Sequence, residues 1–331
     1  MDFESALKES QAREAALLAR LEASEGREQK AMEEKETLRR EKEAERMAMR
    51  TKLEALGHFL PFRMPFAGES EPWSPDSVLS HCSGALLPMF DTAEATVLRL
   101  LCKEFKETVA QFPWEDDKTV IRGSVAAWKA CFPKARWANV RKDGEGGRKG
   151  PVVDADFVHF FGLKRLNMRM CTSVTDAAFV HLKGIHTLNM SFCRQSSITD
   201  AAFVHLKGIH TLIMWSCWQP TITDAAFVNL KGIHSLNMAY CYQLTITDAA
   251  IAHLQGIHSL SLYACPQLTR AMLIHLKGIK RLNIGHCRQP TLTDDSLKGI
   301  EWLGMYHCSE AQVEQARSLG YPVDQINYAG V

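Results

Sequence analysis

The sequence predicts an α/β solenoid in its second half, built from copies of one strand-turn-helix unit. The stretch ITDAAFVHLKGIHTLIMWSC (198–217) is followed almost unchanged by ITDAAFVNLKGIHSLNMAYC (222–241). One cysteine per copy recurs at intervals of 21 to 24 residues, at Cys171, Cys193, Cys217, Cys241, Cys265, Cys287 and Cys308. A period in this range is typical of stacked repeats, each of which buries its apolar face only against its neighbours.

Each unit begins with a short strand and ends with a short helix. Apolar residues alternate before the cysteine, as at Leu188 and Met190, which predicts a strand with one buried face. After the cysteine, Thr199 or Asp200 can cap a helix start, and Phe203 begins an apolar helix face. A glycine ends each helix: Gly184, Gly208, Gly232, Gly256 and Gly278.

The frame L-x-x-L-x-L-x-x-C resembles the cysteine-containing class of leucine-rich repeats over residues 151–331. That resemblance implies a curved solenoid with parallel strands on the concave side, short helices on the convex side, and a cysteine buried where each strand ends. One cysteine per repeat forms a ladder, whereas a zinc site needs several thiolates at one point. We therefore expect core cysteines and no metal.

The copies differ mainly where strand alternation turns side chains toward solvent. Asn189 corresponds to Ile213 in the next copy, and Ser191 corresponds to Trp215, whereas the helices are nearly constant. Large aromatic side chains are common anchors at protein interfaces. We therefore predict a concave face that binds a partner protein through Asn189, Ile213, Trp215, Trp218, Asn237, Tyr263, Trp302 and Tyr306. The alternatives are that some of the rings pack at the solenoid edge, or that the asparagines form a ladder between strands.

One repeat position carries a column of histidines, which should stack about 4.8 Å apart. Its members are His186, His210, His234 and His258. Such a column could bind metal or sense pH. Lys164, Lys280 and Glu301 occupy the same position in other repeats. This favours the interpretation that the column is a by-product of repetition.

Composition and motifs further limit the functions that the sequence is compatible with. The 331 residues are 46% hydrophobic with a net charge of +1, so bulk charge identifies no partner. We find neither a signal-peptide pattern nor a membrane span, so we expect an intracellular protein, cytoplasmic or nuclear, with reduced thiols. The segment DGEGGRKG (143–150) lacks the phosphate-binding pattern, and no catalytic motif occurs. We expect no enzymatic activity, no cofactor, and neither a nucleic-acid nor a membrane partner.

Residues 1–56 are rich in Glu, Lys, Arg and Ala without proline, which predicts a charged helix. An interrupted apolar seam permits self-association as a coiled coil, and a solvated helix held by ion pairs is the alternative. The proline-containing residues 57–73 read as a linker.

Residues 74–116, which include the run LRLLCKEFKETV and a Pro-Trp pair near their end, resemble an F-box. An F-box before leucine-rich repeats is similar to the substrate receptors of cullin-RING ubiquitin ligases, which implies an F-box adaptor and a cullin as partners. Candidate adaptor-binding or core residues are Pro75, Val78, Leu79, Leu86, Leu87, Val97, Leu98, Leu101 and Phe105. The alternative is a helical cap on a repeat scaffold unconnected with a ligase. Residues 117–150 read as an irregular cap and linker.

Overall fold

Among the residues that the structure describes, nine strands form one sheet, in chain order and all parallel. The computed structural model describes Thr37, Arg40, Ala44, Leu87 and residues 90–99, 103–142, 148, 150–286 and 297–324. The chain divides into two compact units, residues 1–109 and 110–331, and the sheet lies in the second. The predicted solenoid of parallel strands and short helices is therefore confirmed.

The strands are only two or three residues long, as expected for repeats of this length. They are β1 (Trp137–Asn139), β2 (Arg165–Asn167), β3 (Thr187–Asn189), β4 (Thr211–Ile213), β5 (Ser235–Asn237), β6 (Ser259–Ser261), β7 (Arg281–Asn283), β8 (Trp302–Gly304) and β9 (Val323–Asp324). The sequence predicted seven strands from residue 151 onward. The two additional strands, β1 and β9, lie outside that count because neither carries the cysteine that marks the other repeats.

Register aligns identical residues across the sheet. Leu188 of β3 pairs with Leu212, which pairs with Leu236. These leucines point into a continuous core together with the buried phenylalanines Phe179, Phe203 and Phe227. The core therefore runs along the whole stack of repeats, and no unit could retain it alone.

The helices on the other side of the sheet are three to nine residues long. The α-helices of the second unit are Val125–Cys131, Asp176–Phe179, Asp200–Phe203, Asp224–Phe227, Asp248–Ala252 and Glu310–Ser318. The 3-10 helices are Asp154–Phe160, Val180–Leu182, Val204–Leu206, Val228–Leu230 and Arg270–Leu276. The glycine that ends the helical segment of each repeat adopts positive φ, as at Gly208 with φ of 83°, which is the left-handed geometry that ends a helix.

The Ile-Thr-Asp signature caps one helix and fastens it to the next repeat. Thr199 accepts a hydrogen bond from the Ala201 amide and is the N-cap. The neighbouring Asp200 instead accepts from the amide and the hydroxyl of Thr223 in the following repeat, each at 2.7 Å. The same pairing recurs at five successive threonines, from Thr175 to Thr269.

The cysteines form the predicted core ladder. Cys171, Cys193, Cys217, Cys241 and Cys265 are buried thiols, and Cys308 is half-buried. The Cys217 thiol donates to the Met190 carbonyl of the preceding repeat at 3.1 Å, and burial raises its pKa to about 12. These thiols therefore join repeats rather than react. Cys287 lies outside the described residues.

A cap precedes β2. Trp114 and Phe132 are buried and meet edge to face at 5.7 Å. The Trp114 carbonyl accepts from the Arg136 amide at the start of β1. Trp114 is the second residue of the Pro-Trp pair in the F-box-like segment. It therefore packs within the cap of the second unit.

Before the cap, helices span Thr92–Leu98 and Lys103–Gln111. Val97, Leu98 and Phe105 lie within them, and Leu87 is buried. Of the predicted charged helix, Thr37, Arg40 and Ala44 are described and are helical. The other candidates in the F-box-like segment, Pro75, Val78, Leu79, Leu86 and Leu101, lie outside the described residues.

Candidate functional site

A groove of about 340 Å³ lies along the strand side of the solenoid. It is lined by residues from the end of β2 to β8, which include aromatic, amide and arginine side chains. Its chemically distinctive members are Arg169, Asn189, Ile213, Trp215, Asn237, Tyr240, Tyr263, Arg281, Asn283 and Trp302. We call this site the concave groove.

The repeat itself positions these side chains. The third residue of each strand from β3 to β7 faces the groove, and this position holds Asn189, Ile213 and Asn237 in β3, β4 and β5. Two residues later, alternation turns the next side chain to the same face, which places Trp215 and Tyr263 there. Six of the eight side chains predicted for the binding face line the groove: Asn189, Ile213, Trp215, Asn237, Tyr263 and Trp302.

Aromatic rings form an unbroken line of contacts along one side of the groove. Phe192 meets Trp215 at 4.7 Å, Trp215 meets Tyr240 at 5.8 Å, and Tyr240 meets Tyr263 at 5.2 Å. Tyr263 then contacts His286 at 6.0 Å. We call this line, Phe192 to His286, the aromatic rim.

The rim includes residues that the sequence did not single out. Phe192, Tyr240 and His286 occupy the position just before the cysteine, where φ is 59°, 60° and 56°. Non-glycine residues adopt this left-handed geometry at a cost of about 1 kcal/mol or more. The signal was present, because this position changes between copies, but alternation alone would turn the residue after Trp215 or Tyr263 to the opposite face.

The groove asparagines have a fixed orientation. The Oδ1 atoms of Asn189, Asn237 and Asn283 accept from the backbone amides two residues onward, at 3.0 to 3.1 Å. Because an amide N–H can only donate, the oxygen of each carboxamide must face the backbone. Each carboxamide NH₂ is therefore directed away from that amide as a donor group. These Oδ1 contacts cap the ends of β3, β5 and β7 locally.

Two glycines make room for the rings. A Cβ on Gly285 would lie 2.7 Å from the Tyr306 carbonyl and 2.9 Å from the Tyr263 ring. A Cβ on Gly304 would lie 2.5 Å from the Trp302 ring. Trp302 is further fixed because its indole N–H donates to Asp324 at 3.0 Å. The groove walls are therefore held by packing and are not loose side chains.

Tyr263 of the groove stays neutral at neutral pH. Burial, followed by a hydrogen bond with Tyr240, raises the pKa of Tyr263 to about 12. The charged groups that line the groove are Arg169 and Arg281, and the described lining residues include no carboxylate. The lining is therefore cationic or neutral throughout.

Two predicted face residues lie elsewhere. Trp218 is exposed and contacts Arg194 at 4.2 Å and Tyr242 at 6.0 Å, around a second depression beside the turns. Tyr306 packs on His307 at 3.9 Å. Trp218 therefore belongs to an adjoining surface, because it follows the cysteine rather than the strand.

The histidine column forms as predicted. His186, His210, His234 and His258 stack at 4.4 to 4.5 Å between neighbouring rings. Burial lowers the pKa of His210, and the adjacent His186 and His234 lower it further. Within the described part of the chain, no three His, Cys, Asp or Glu side chains converge as a metal site. Among the same residues, no helix is long and apolar enough to cross a membrane.

Three solved structures show the range of similarity to known proteins. The TLR13–ssRNA13 complex is 16% identical with a TM-score of 0.43, and the alignment covers 66% of this chain and 34% of that chain. The Toll–Spatzle complex of Drosophila is 12% identical with a TM-score of 0.44, covering 56% and 25%. The Rad7–Elc1 complex of yeast is 12% identical with a TM-score of 0.27, covering 80% and 88%. No protein-family model and no curated protein matches the chain. The assignment to the leucine-rich-repeat fold therefore rests on the repeat geometry described above.

Proposed function

We propose that the protein is a non-catalytic binding module that captures a partner protein in the concave groove. The observation that carries this proposal is that the aromatic rim and a row of asparagine carboxamides border the same groove. Large rings with polar edges supply contact area at low entropic cost, and the amides supply directional hydrogen bonds. Both features lie where the repeat copies diverge, although the core residues beneath them are nearly identical.

Paired substitutions test this proposal. Trp215→Ala with Tyr263→Ala removes two rings that line the groove, and the matched control is Val204→Ala with Val228→Ala, which are exposed on the helix side. The groove variant should lose at least about tenfold in partner capture by proximity labelling in cells, whereas the control should keep it. Both variants should retain cooperative thermal unfolding. Equal capture by both variants would refute the proposal.

A finer proposal is that the captured partner is presented to a cullin-RING ubiquitin ligase. Its support is the F-box-like sequence of residues 74–116, which places short helices before the repeats. Two helices, Thr92–Leu98 and Lys103–Gln111, are present in this segment. Leu87 is buried, which favours a core role over direct adaptor contact for this residue.

Co-purification with an F-box adaptor and a cullin separates this proposal from a scaffold without ligase function. If the protein is a ligase receptor, both the adaptor and the cullin should co-purify with it through residues 74–116. Deletion of that segment should then abolish the co-purification. Well-folded full-length protein that captures a partner but no adaptor would establish the scaffold alternative. In that case self-association through residues 1–56 would be the means of linking captured partners.

A further inference from the structure

Cationic side chains stand at the two ends of the concave groove, and the described residues of its middle include none. Arg169 follows β2 at one end and Arg281 begins β7 at the other. The lining residues between them are asparagine, serine, aliphatic and aromatic. Such a distribution is complementary to a ligand with negative charge at both ends and an apolar centre.

Each cation is held by aromatic rings. The Arg169 guanidinium lies 4.5 Å from the Phe192 ring and 5.1 Å from Trp215. The Arg194 guanidinium, which lines the adjoining depression, lies 4.8 Å from the same Phe192 ring. The contacts with Phe192 and Trp215 hold Arg169 at the groove end before any ligand arrives, which reduces the entropy lost on binding.

The opposite end is similar. Arg281 lies 5.3 Å from the Trp302 ring, and its buried Nε has no hydrogen-bond partner among the described residues. One carboxylate, Asp324, is adjacent and accepts the Trp302 indole N–H. Lys280 Nζ and Glu301 Oε1 form an ion pair nearby at 3.1 Å, so their charges offset each other. Of these charged groups, Arg281 is the one found among the described residues that line the groove.

The backbone positions of the two arginines indicate the approximate length of the ligand. Five interstrand steps of about 4.8 Å separate β2 from β7, which gives about 24 Å across the sheet. The two residues are also offset by four repeat positions, or about 13 Å along the strands at about 3.3 Å per residue. The diagonal of about 27 Å matches an extended peptide of about eight residues.

The groove between the arginines suits a peptide backbone. The carboxamide NH₂ groups of Asn189 and Asn283 are directed away from their own backbone and can donate to carbonyls. Ile213 and Ala239 provide apolar floor between them. An extended chain carries carbonyls along its edges and can place alternate side chains against this floor.

A single-stranded nucleic acid fits less well. It carries a phosphate at every nucleotide, and proteins that bind it line the whole path with cations. Here the described lining residues in the middle of the groove include no cation. The rings also meet one another at steep angles, such as 76° for Phe192 with Trp215 and 61° for Trp215 with Tyr240, so neighbours cover ring faces on which bases would stack.

We propose that the concave groove binds an extended acidic segment of a partner protein, about eight residues long, with carboxylates toward both ends and apolar side chains between them. This inference rests on the proposed function, because it assumes that the groove is the capture site. It adds the chemical class of the partner and the two side chains, Arg169 and Arg281, that select it.

Selection from a random twelve-residue phage-display library on the immobilised full-length chain tests the inference. Selected sequences should be enriched in Asp and Glu at two positions about eight residues apart. Synthetic fluorescent copies should bind at least about tenfold more weakly to the variant Arg169→Gln with Arg281→Gln. Binding should also weaken by at least about fivefold between roughly 50 and 500 mM salt, because the contacts are charged. The matched control Arg317→Gln removes a surface arginine of the last helix that pairs with Glu314 and should bind like the parent chain.

The outcomes separate this inference from the function on which it rests. Selected peptides could lack acidic residues and still fail to bind the variant Trp215→Ala with Tyr263→Ala. That result would support the groove as the capture site but contradict the acidic ligand. Binding of an eight-nucleotide oligothymidylate that depends on Arg169 and Arg281, without any acidic peptide selected, would overturn it in favour of nucleic acid. A failure to select any peptide sensitive to the groove variants would contradict both proposals.

Discussion

Gly285 and Gly304 define the walls of the concave groove as much as the aromatic residues do. Each occupies a position at which other repeats carry a larger side chain, such as Tyr263 or Asn283. Each leaves space that a neighbouring ring fills. The groove is therefore shaped by where the repeats lack a side chain, as well as by where they gain a large one.

Gly285→Ala should destabilise the protein and weaken partner binding together. The added methyl group would meet the Tyr306 carbonyl at 2.7 Å, and that backbone atom cannot move aside cheaply. We expect a loss of about 1 to 3 kcal/mol in the free energy of unfolding. The control Gly123→Ala has no atom within 4 Å of its new methyl group and should have little effect. Equal urea midpoints for the two variants would show that the rim is not tightly packed.

At this scale the sequence predicted the groove only in part. Trp215 and Tyr263 follow from strand alternation, and both line the groove as expected. Tyr240 was missed because the chain has left the strand and adopted positive φ, so the alternation that locates its neighbours does not locate it. Arg169 was missed because its importance depends on Arg281, which lies on a strand far from it in the sequence.

At the scale of the element, each helix start serves two repeats. Thr199 caps its own helix and Asp200 binds Thr223 of the next repeat. The sequence predicted a cap at Thr199 or Asp200, and the structure assigns this role to Thr199. The link between repeats could not be predicted from the local pattern, since it joins residues 23 positions apart.

A double-mutant cycle measures this link. Asp200→Ala and Thr223→Ala each remove one side of the pair, and each should lower the free energy of unfolding by about 1 to 2 kcal/mol. The double variant should lose less than the sum of the two single variants, because both remove the same hydrogen bonds. Additive losses in urea denaturation would show that the carboxylate does not join the repeats.

The histidine column should make stability fall in acid. The folded state lowers the pKa of His210 below its ordinary 6.5, through burial and the adjacent His186 and His234. The unfolded chain therefore takes up a proton first as pH falls. Stability is fully present above about pH 6.5 and decreases as pH drops below that value. The urea midpoint should be lower at about pH 5.5 than at about pH 7.5, and His210→Gln should reduce this difference. An unchanged difference in that variant would contradict the assignment to the column.

At the scale of the whole molecule, the repeats provide a rigid surface and the divergence between copies provides specificity. The fold could be predicted well from the sequence, because one period fixes the strands, the helices and the core at once. The extent of the sheet could not, because β1 and β9 lack the signature that repetition supplies. Binding specificity depends on side chains from several different repeats, and only the assembled sheet brings those together.

Site-specific photo-cross-linking tests the central claim, that the concave groove captures a partner protein, most directly. A photoreactive phenylalanine analogue replaces Ile213 on the groove floor in the full-length chain, and Val228 on the helix side serves as the control. We predict that irradiation in cells gives a covalent adduct of one defined mass from position 213, and that a groove-binding acidic peptide suppresses it. Adducts that form equally from position 228, or that are absent from position 213 in folded protein, would contradict the claim.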